Sequence, residues 1–206
     1  MYIVRMSSGE TAGTTPIGGT PRLRRVERRE QILGAATAAF AAAGFAATSL
    51  DDVADAAAIS RAIVYRHFDS KADLYRAVLD RARARLQAAV GEPDYNESII
   101  DTLLAGAAQD PDAFRLLFTH AAREPEFRAE MDQYHSFMVS VAHDQLAGTI
   151  PDPAWAAWAA HLMPLATVAA ITAWLDAGQP EPRSAPDRIR RALDGILDAA
   201  RHGPED

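Results

Sequence analysis

Between Leu50 and Phe68 the chain has room for two helices of about two turns each, with almost nothing between them. "TSLDD" marks the first start: Thr48 or Ser49 can cap the free backbone N–H groups, and Asp51 or Asp52 falls in the first turn. Leu50, Val53, Ala54 and Ala57 form the apolar face of this segment. A three-residue turn of Ala58, Ile59 and Ser60 follows, Ser60 capping a second segment, "RAIVYRHF". Helices this short are unstable alone, so both must be held by longer neighbours. This requirement constrains the fold more than any other feature.

The neighbours are visible on either side. A helix from about Val26 to Ala43 carries an apolar stripe of Ile32, Leu33, Ala36, Ala39, Phe40 and Ala43 at three-four spacing. Gly44 followed by Phe45 reads as its stop, with the glycine in the left-handed region. After Phe68, Ser70 caps a longer helix through "KADLYRAVLDRARARLQAAV", apolar at Leu74, Val78, Leu79, Ala82 and Leu86. The remainder reads as helices over about 95–108, 111–121, 125–148, 153–177 and 186–202, broken at "QDPD", "AREPE", "GTIPDP" and "AGQPEPRSAP". Abundant alanine, 7% aromatics and few β-branched runs favour an all-α chain. Residues 1–21, rich in Gly, Thr, Ser and Pro, are expected to be a disordered tail, and Met6 is an alternative start.

With no cysteine in 206 residues, disulfides and thiolate metal sites are excluded. The start lacks the order of a signal peptide and no apolar run reaches about 18 residues, so a cytoplasmic protein without a membrane partner is expected. The net charge of -7 argues against indiscriminate nucleic-acid binding. The charge is unevenly spread, however: residues 1–80 hold 10 Lys+Arg against 9 Asp+Glu, whereas residues 81–206 hold 11 against 19. "RLRRVERR" alone carries five arginines, so a polyanion should meet the N-terminal part.

Two short helices joined by a tight turn and braced by a longer one make a helix-turn-helix. Over about fifty residues, the stripe ending in Gly44-Phe45, "TSLDDVA", "ISR", "YRHF" and "SKADL" follow one another in an order and spacing that resemble the DNA-binding domain of the TetR family of bacterial repressors. The resemblance implies an N-terminal three-helix reading domain over 22–70 and a helical effector-binding and dimerisation domain over 71–206. It implies that Thr48 donates to a phosphate and that Ser60 caps the reading helix and reaches the DNA backbone. Arg61, Ala62, Ile63 and Arg66 would face the major groove, Tyr65 and His67 would touch phosphate or sugar, and Lys71 would pin a phosphate. Val64 and Phe68 would point inward. Two positions depart from the family pattern: Ala58 stands where glycine is usual in the turn, and Ile63 where threonine is common. Tyrosine and histidine on a short helix also serve as ordinary packing, and "RLRRVERR" reads either as a solvated helix start or as an arm reaching for DNA.

For the C-terminal part the resemblance implies a homodimer built on the last two helices. Trp155, Trp158, Leu162, Leu165, Val168, Ala169, Thr172 and Leu175 offer one apolar surface, and Ile189, Leu193, Ile196 and Leu197 another; closing the monomer core is the competing use. Pro164 predicts a kink. A pocket among the middle helices would be lined by Leu104, Ala108, Phe114, Leu117, Phe118, Phe137, Met138, Val141 and Trp158 or His161, each of which also reads as plain core. Its apolar character suits a hydrophobic or amphipathic small molecule. His120, His135, His143 and His161 lack metal-ligand spacing, so neither metal nor cofactor is expected. No nucleophile–base set or paired carboxylates support an enzyme. The expected function is therefore a ligand-released repressor on double-stranded DNA; a helical adaptor that has lost DNA reading is the alternative.

Overall fold

A computed structural model describes residues 25–91 and 99–202. The described residues form α1 (Arg25–Ala47), α2 (Leu50–Ala56), α3 (Arg61–His67), α4 (Lys71–Val90), α5 (Ile99–Gln109), α6 (Pro111–Arg115), α7 (Arg128–Leu146), α8 (Pro153–Asp176) and α9 (Ala185–Arg201), with no strand among them. The 1–21 tail, Arg22 and Arg24 lie outside these residues.

The short helices are held as their length demands. Ile32, Leu33 and Phe40 of α1, Val53 of α2, Val64 and Phe68 around α3, and Leu74, Tyr75 and Val78 of α4 are all at most 1% exposed and share one cluster. Burying each of the larger side chains contributes about 1.5–3 kcal/mol, far more than two turns of helix supply on their own. The cluster does not stop at α4, since Leu116, Phe127 and Met131 belong to it. Phe45, Tyr75 and Phe127 meet with ring centroids 4.6–5.0 Å apart, and Phe40 packs edge-on to Tyr75 at 4.9 Å. Gly44, at φ 80° and ψ 168°, breaks α1 internally and turns Phe45 into this group.

A second cluster joins α5, α8 and α9 through Ile100, Leu104, Ile171, Leu175, Ile189 and Leu193. Ile189 and Leu193, read from sequence as candidate dimer surface, therefore close this chain's own core. On α8, Trp155, Trp158 and Leu165 remain 46%, 40% and 53% exposed, an apolar face without a partner in the monomer. Helix α8 runs through Pro164 unbroken; the missing N–H deprives the buried Ala160 carbonyl of its helical donor. By length and composition α1 and α8 could cross a membrane, which corrects the expectation that no segment could. The buried face of α8 (Ala156, Ala159, Ala160, Ile171, Leu175) is packed within the helical body.

The stretch read as one helix over 111–121 differs most. Residues Pro111–Arg115 are α-helical, Leu116–His120 form a π turn, and Ala121–Arg123 a 3-10 turn. The wide turn lets Leu116 and Leu117 enter the first cluster while Phe114 joins the second. Phe118 stacks on Phe114 at 4.7 Å and packs against both clusters. Pro125 then keeps Glu124 extended, so α7 begins at Arg128 rather than 125.

Candidate nucleic-acid interface and effector cavity

Ser49 is the α2 cap: its hydroxyl accepts from the Asp52 N–H at 3.1 Å, and its own N–H donates to the Asp52 carboxylate at 2.8 Å. The Ser49 hydroxyl, which also donates to the Asp52 carboxylate at 2.7 Å, and then the Ser49 N–H hold the Asp52 carboxyl below its usual range. At the other end the chain makes a Schellman turn. The Ile59 N–H donates to the Ala54 carbonyl and the Ala58 N–H to that of Asp55, both at 3.0 Å, with Ala58 at φ 52°. Ala58 thus takes the left-handed conformation for which glycine is usual, in a turn of ordinary shape. Gln31 of α1 braces it, donating from Nε2 to the Ala57 carbonyl at 2.8 Å while accepting from Arg28 Nη1 at 2.7 Å. A polar residue opposite an apolar stripe gave no sequence signal for this brace.

Helix α3 has two faces. Val64 and, just after the helix, Phe68 are fully buried, whereas Arg61, Ala62, Tyr65 and Arg66 are exposed. Arg61 reaches Asp51 of α2, Nε to Oδ1 at 2.8 Å, and donates from Nη2 to the Tyr65 hydroxyl at 3.2 Å. Its guanidinium lies 5.3 Å from the Tyr65 ring centroid. Ile63 is half-buried and packs on the first cluster, so it is not the free apolar tip the sequence suggested.

Thr48, Ser60 and Lys71 each sit differently from the expectation, and for Thr48 the difference overturns it. Thr48 is 3% exposed, and its hydroxyl donates to the carbonyls of Gly44 at 2.8 Å and Ala39 at 3.3 Å. It ties α2 to the end of α1 and cannot donate to a phosphate while so held. Ser60 occupies the cap position of α3 but makes no side-chain cap bond, leaving its exposed hydroxyl for an external acceptor. Lys71 Nζ donates to the carbonyls of Phe45 at 2.8 Å and Ala46 at 3.2 Å and sits 4.4 Å over the Phe45 ring. It closes the carbonyl end of α1, and one of its three N–H donors remains for a phosphate.

The basic start of α1 meets the end of α3. Arg29 lies over the Phe68 ring at 4.9 Å. Burial, then the positive charges of Arg25, Arg29, Arg66 and Arg28, push the half-buried His67 below its ordinary range. These cations from two helices form one positive surface beside the reading face.

A cavity of about 290 Å³ lies among α4, α5, α7 and α8. Phe114, Phe118, Phe137, Met138 and Val141 line it as the sequence suggested, joined by Leu86, Val90, Ile99, Leu103, Val168 and Ile171. The other named residues do not. Leu104 is core in the second cluster, Ala108 is off the wall, and Leu117 faces a separate hollow between α4 and α6. Trp158 and His161 stand exposed on α8 and are not part of the wall. Leu86 and Val168 had been read as packing and dimer surface, since apolar stripes carry no mark of which stretch borders a void.

The sequence profile of bacterial regulatory proteins of the tetR family matches residues 32–78. The HTH-type transcriptional activator FasR of Mycolicibacterium smegmatis is 32% identical over 128 residues, covering 56% of this chain and 58% of that protein, so the match spans little more than half the relative's length. The HTH-type transcriptional repressor SCO4008 of Streptomyces coelicolor is 31% identical over 130 residues, covering 60% of this chain and 68% of that protein. In fold, the chain is similar to a TetR-like transcriptional regulator from Rhodococcus sp. RHA1, with a TM-score of 0.74 at 22% identity over 86% of this chain and 99% of the other. The family profile spans α3 and its buried anchors Val64 and Phe68, and the chain belongs to the TetR family of bacterial regulatory proteins.

Proposed function

We propose that this protein is a cytoplasmic, dimeric transcriptional repressor that binds a palindromic DNA operator and is released by a small hydrophobic or amphipathic molecule. The observation that carries the reading is α3 itself. Val64 and Phe68 anchor it while Arg61, Ala62, Tyr65 and Arg66 stand exposed on its other face. A helix about 10–12 Å wide fits a major groove of about 12 Å. Arginine on that face can bind guanine O6 and N7 through two hydrogen bonds. Ser60, Tyr65, His67 and the Arg25–Arg29 surface would meet phosphates. Residues 22–70 serve as the reading unit and 71–206 as the sensor and dimer unit.

The exposed Trp155, Trp158 and Leu165 support a dimer across α8. Two reading helices must then sit about 34–36 Å apart, in successive major grooves. An occupant of the cavity that tilts α4 changes that separation and weakens binding. Selection from a random duplex library, followed by footprinting, tests the reading. A palindromic site protected by the dimer is expected; no sequence-specific protection at low salt would refute it and favour the helical adaptor. Thermal-shift screening of apolar small molecules tests the cavity, since an occupant raises the melting temperature with concentration.

A further inference from the structure

The exposed arginine of α3 is not loose. At 63% side-chain exposure Arg61 has little packing to fix its long chain, yet three contacts converge on its guanidinium. Asp51, from a different helix, forms an ion pair with Oδ1 2.8 Å from Nε but no aligned hydrogen bond; the Tyr65 hydroxyl accepts from Nη2 at 3.2 Å; the Tyr65 ring lies beneath at 5.3 Å. We propose that Asp51 is a specificity-determining positioning residue, presetting Arg61 so that its outer fork meets one base pair of the operator. The inference rests on the reading that α3 enters the major groove.

The chemistry of the guanidinium selects the edge that is left open. Its five N–H donors form two forks, one shared by Nε and one Nη, the other by the two Nη atoms. Tyr65 takes a hydrogen of Nη2 and the Asp51 charge sits against Nε on the same side, which leaves the terminal Nη1/Nη2 fork to face outward. That fork matches the two acceptors, O6 and N7, that guanine presents in the groove. A freely rotating arginine would meet guanine and phosphate alike and would lose rotamer entropy on either. One already held loses less on the base and resists collapse onto a neighbouring phosphate. Asp51 also repels phosphate, so it discourages the wrong use of Arg61 while permitting the right one. Asp51 is not a contact itself; it acts through Arg61, and it ties the orientation of α3's contact to α2.

The test uses the full-length protein and the duplex selected from a random library. Affinities of Asp51→Ala, Asp51→Asn, Arg61→Ala and the Asp51→Ala/Arg61→Ala double variant are measured on that duplex, on single base-pair variants and on a scrambled duplex. Arg61→Ala is expected to abolish preference at one guanine. Asp51→Ala should lower preference at the same base pair by about tenfold, within the range one bidentate contact supplies, while affinity for scrambled duplex stays level or rises. Asp51→Asn, which keeps the side chain's shape but removes the charge that holds Arg61, should fall between. In the Arg61→Ala background, Asp51→Ala should have no further effect on preference. Wild-type preference in Asp51→Ala, or an equal loss on every duplex, overturns the proposal. Unchanged preference in Arg61→Ala instead overturns the groove reading, and this proposal with it.

Discussion

Replacing Ala58 by glycine should stabilise the protein, because the turn between α2 and α3 forces an L-residue into the left-handed region at φ 52°. Such a conformation costs an alanine about 1–2 kcal/mol, and glycine is free of it. Against this, glycine gives the unfolded chain more freedom, worth about 0.4–1 kcal/mol. The Ala58 methyl is exposed, so its loss adds little, and both turn hydrogen bonds are made by backbone. The net gain is about 0.5–1 kcal/mol, or roughly 1–4 °C in melting temperature for a chain of this size. Urea unfolding followed by circular dichroism reads the midpoint, and the slope should not change. The converse variant, Gly44→Ala, supplies the control. No atom lies within 4 Å of a Cβ placed there, yet φ is 80° and ψ 168°. Its cost of about 1–3 kcal/mol is then purely backbone strain. If Ala58→Gly lowers the midpoint, the strain assigned to this turn is smaller than the unfolded-state term and the reasoning fails.

Thr48→Val should cost about 1–3 kcal/mol by removing a buried hydroxyl that serves two carbonyls, while operator affinity of the folded protein holds within about twofold; the opposite pattern would restore a phosphate role. Tyr75 is fully buried, its hydroxyl has no hydrogen-bond partner, and burial pushes its pKa up to about 12. The unfolded chain ionises from about pH 10, so stability present below that is lost as pH rises through the folded value. Tyr75→Phe should remove this alkaline loss and gain about 1 kcal/mol at neutral pH, both read by urea titration. The depressed His67 predicts stability that is full above its unfolded value of 6.5 and declines as pH falls from there through the folded value. His67→Gln should flatten that slope, and an unchanged slope would reject the assignment. Trp158→Glu with Leu165→Glu should give a helical monomer in sedimentation with operator affinity lowered at least tenfold, since one reading head holds only a half-site; a persistent dimer would move the interface elsewhere.

The helices and their starts were legible because caps and stops are local chemistry: Ser49, Ser70, Asp110 and Asp152 accept from backbone N–H groups within their own first turns. So was the division of α3 into buried Val64 and Phe68 and exposed Arg61 and Tyr65, since three-four spacing sets it. What stayed hidden depends on partners distant in sequence. Lys71 and Phe45 are 26 residues apart, as are Gln31 and Ala57, and no periodicity announces either bond. Thr48 reads as a donor to DNA until the carbonyls of α1 are placed beside it. The cavity wall was half legible for the same reason. Phe137 and Val168 look like any apolar positions, and only the packing of other helices leaves a void between them.

The aromatic group around Tyr75 gives α4 unequal arms. Leu86 and Val90 border the cavity, about 17–22 Å along the helix from Tyr75, whereas Lys71 lies only about 6 Å away on the other side. With Phe40, Phe45 and Phe127 packed about Tyr75 as a fulcrum, a displacement at Val90 would be geared down about fourfold before it reached Lys71. The long arm also carries Arg81 and Arg85, which bind Glu30 of α1 and Asp110 at the head of α6. Those pairs would carry part of any displacement of the long arm sideways into α1, reduced in turn because Arg81 and Arg85 stand only about 9 and 15 Å from Tyr75. By this geometry a small displacement of the cavity wall would reach the start of α4 weakened, with the ion pairs to Glu30 as a second route into α1.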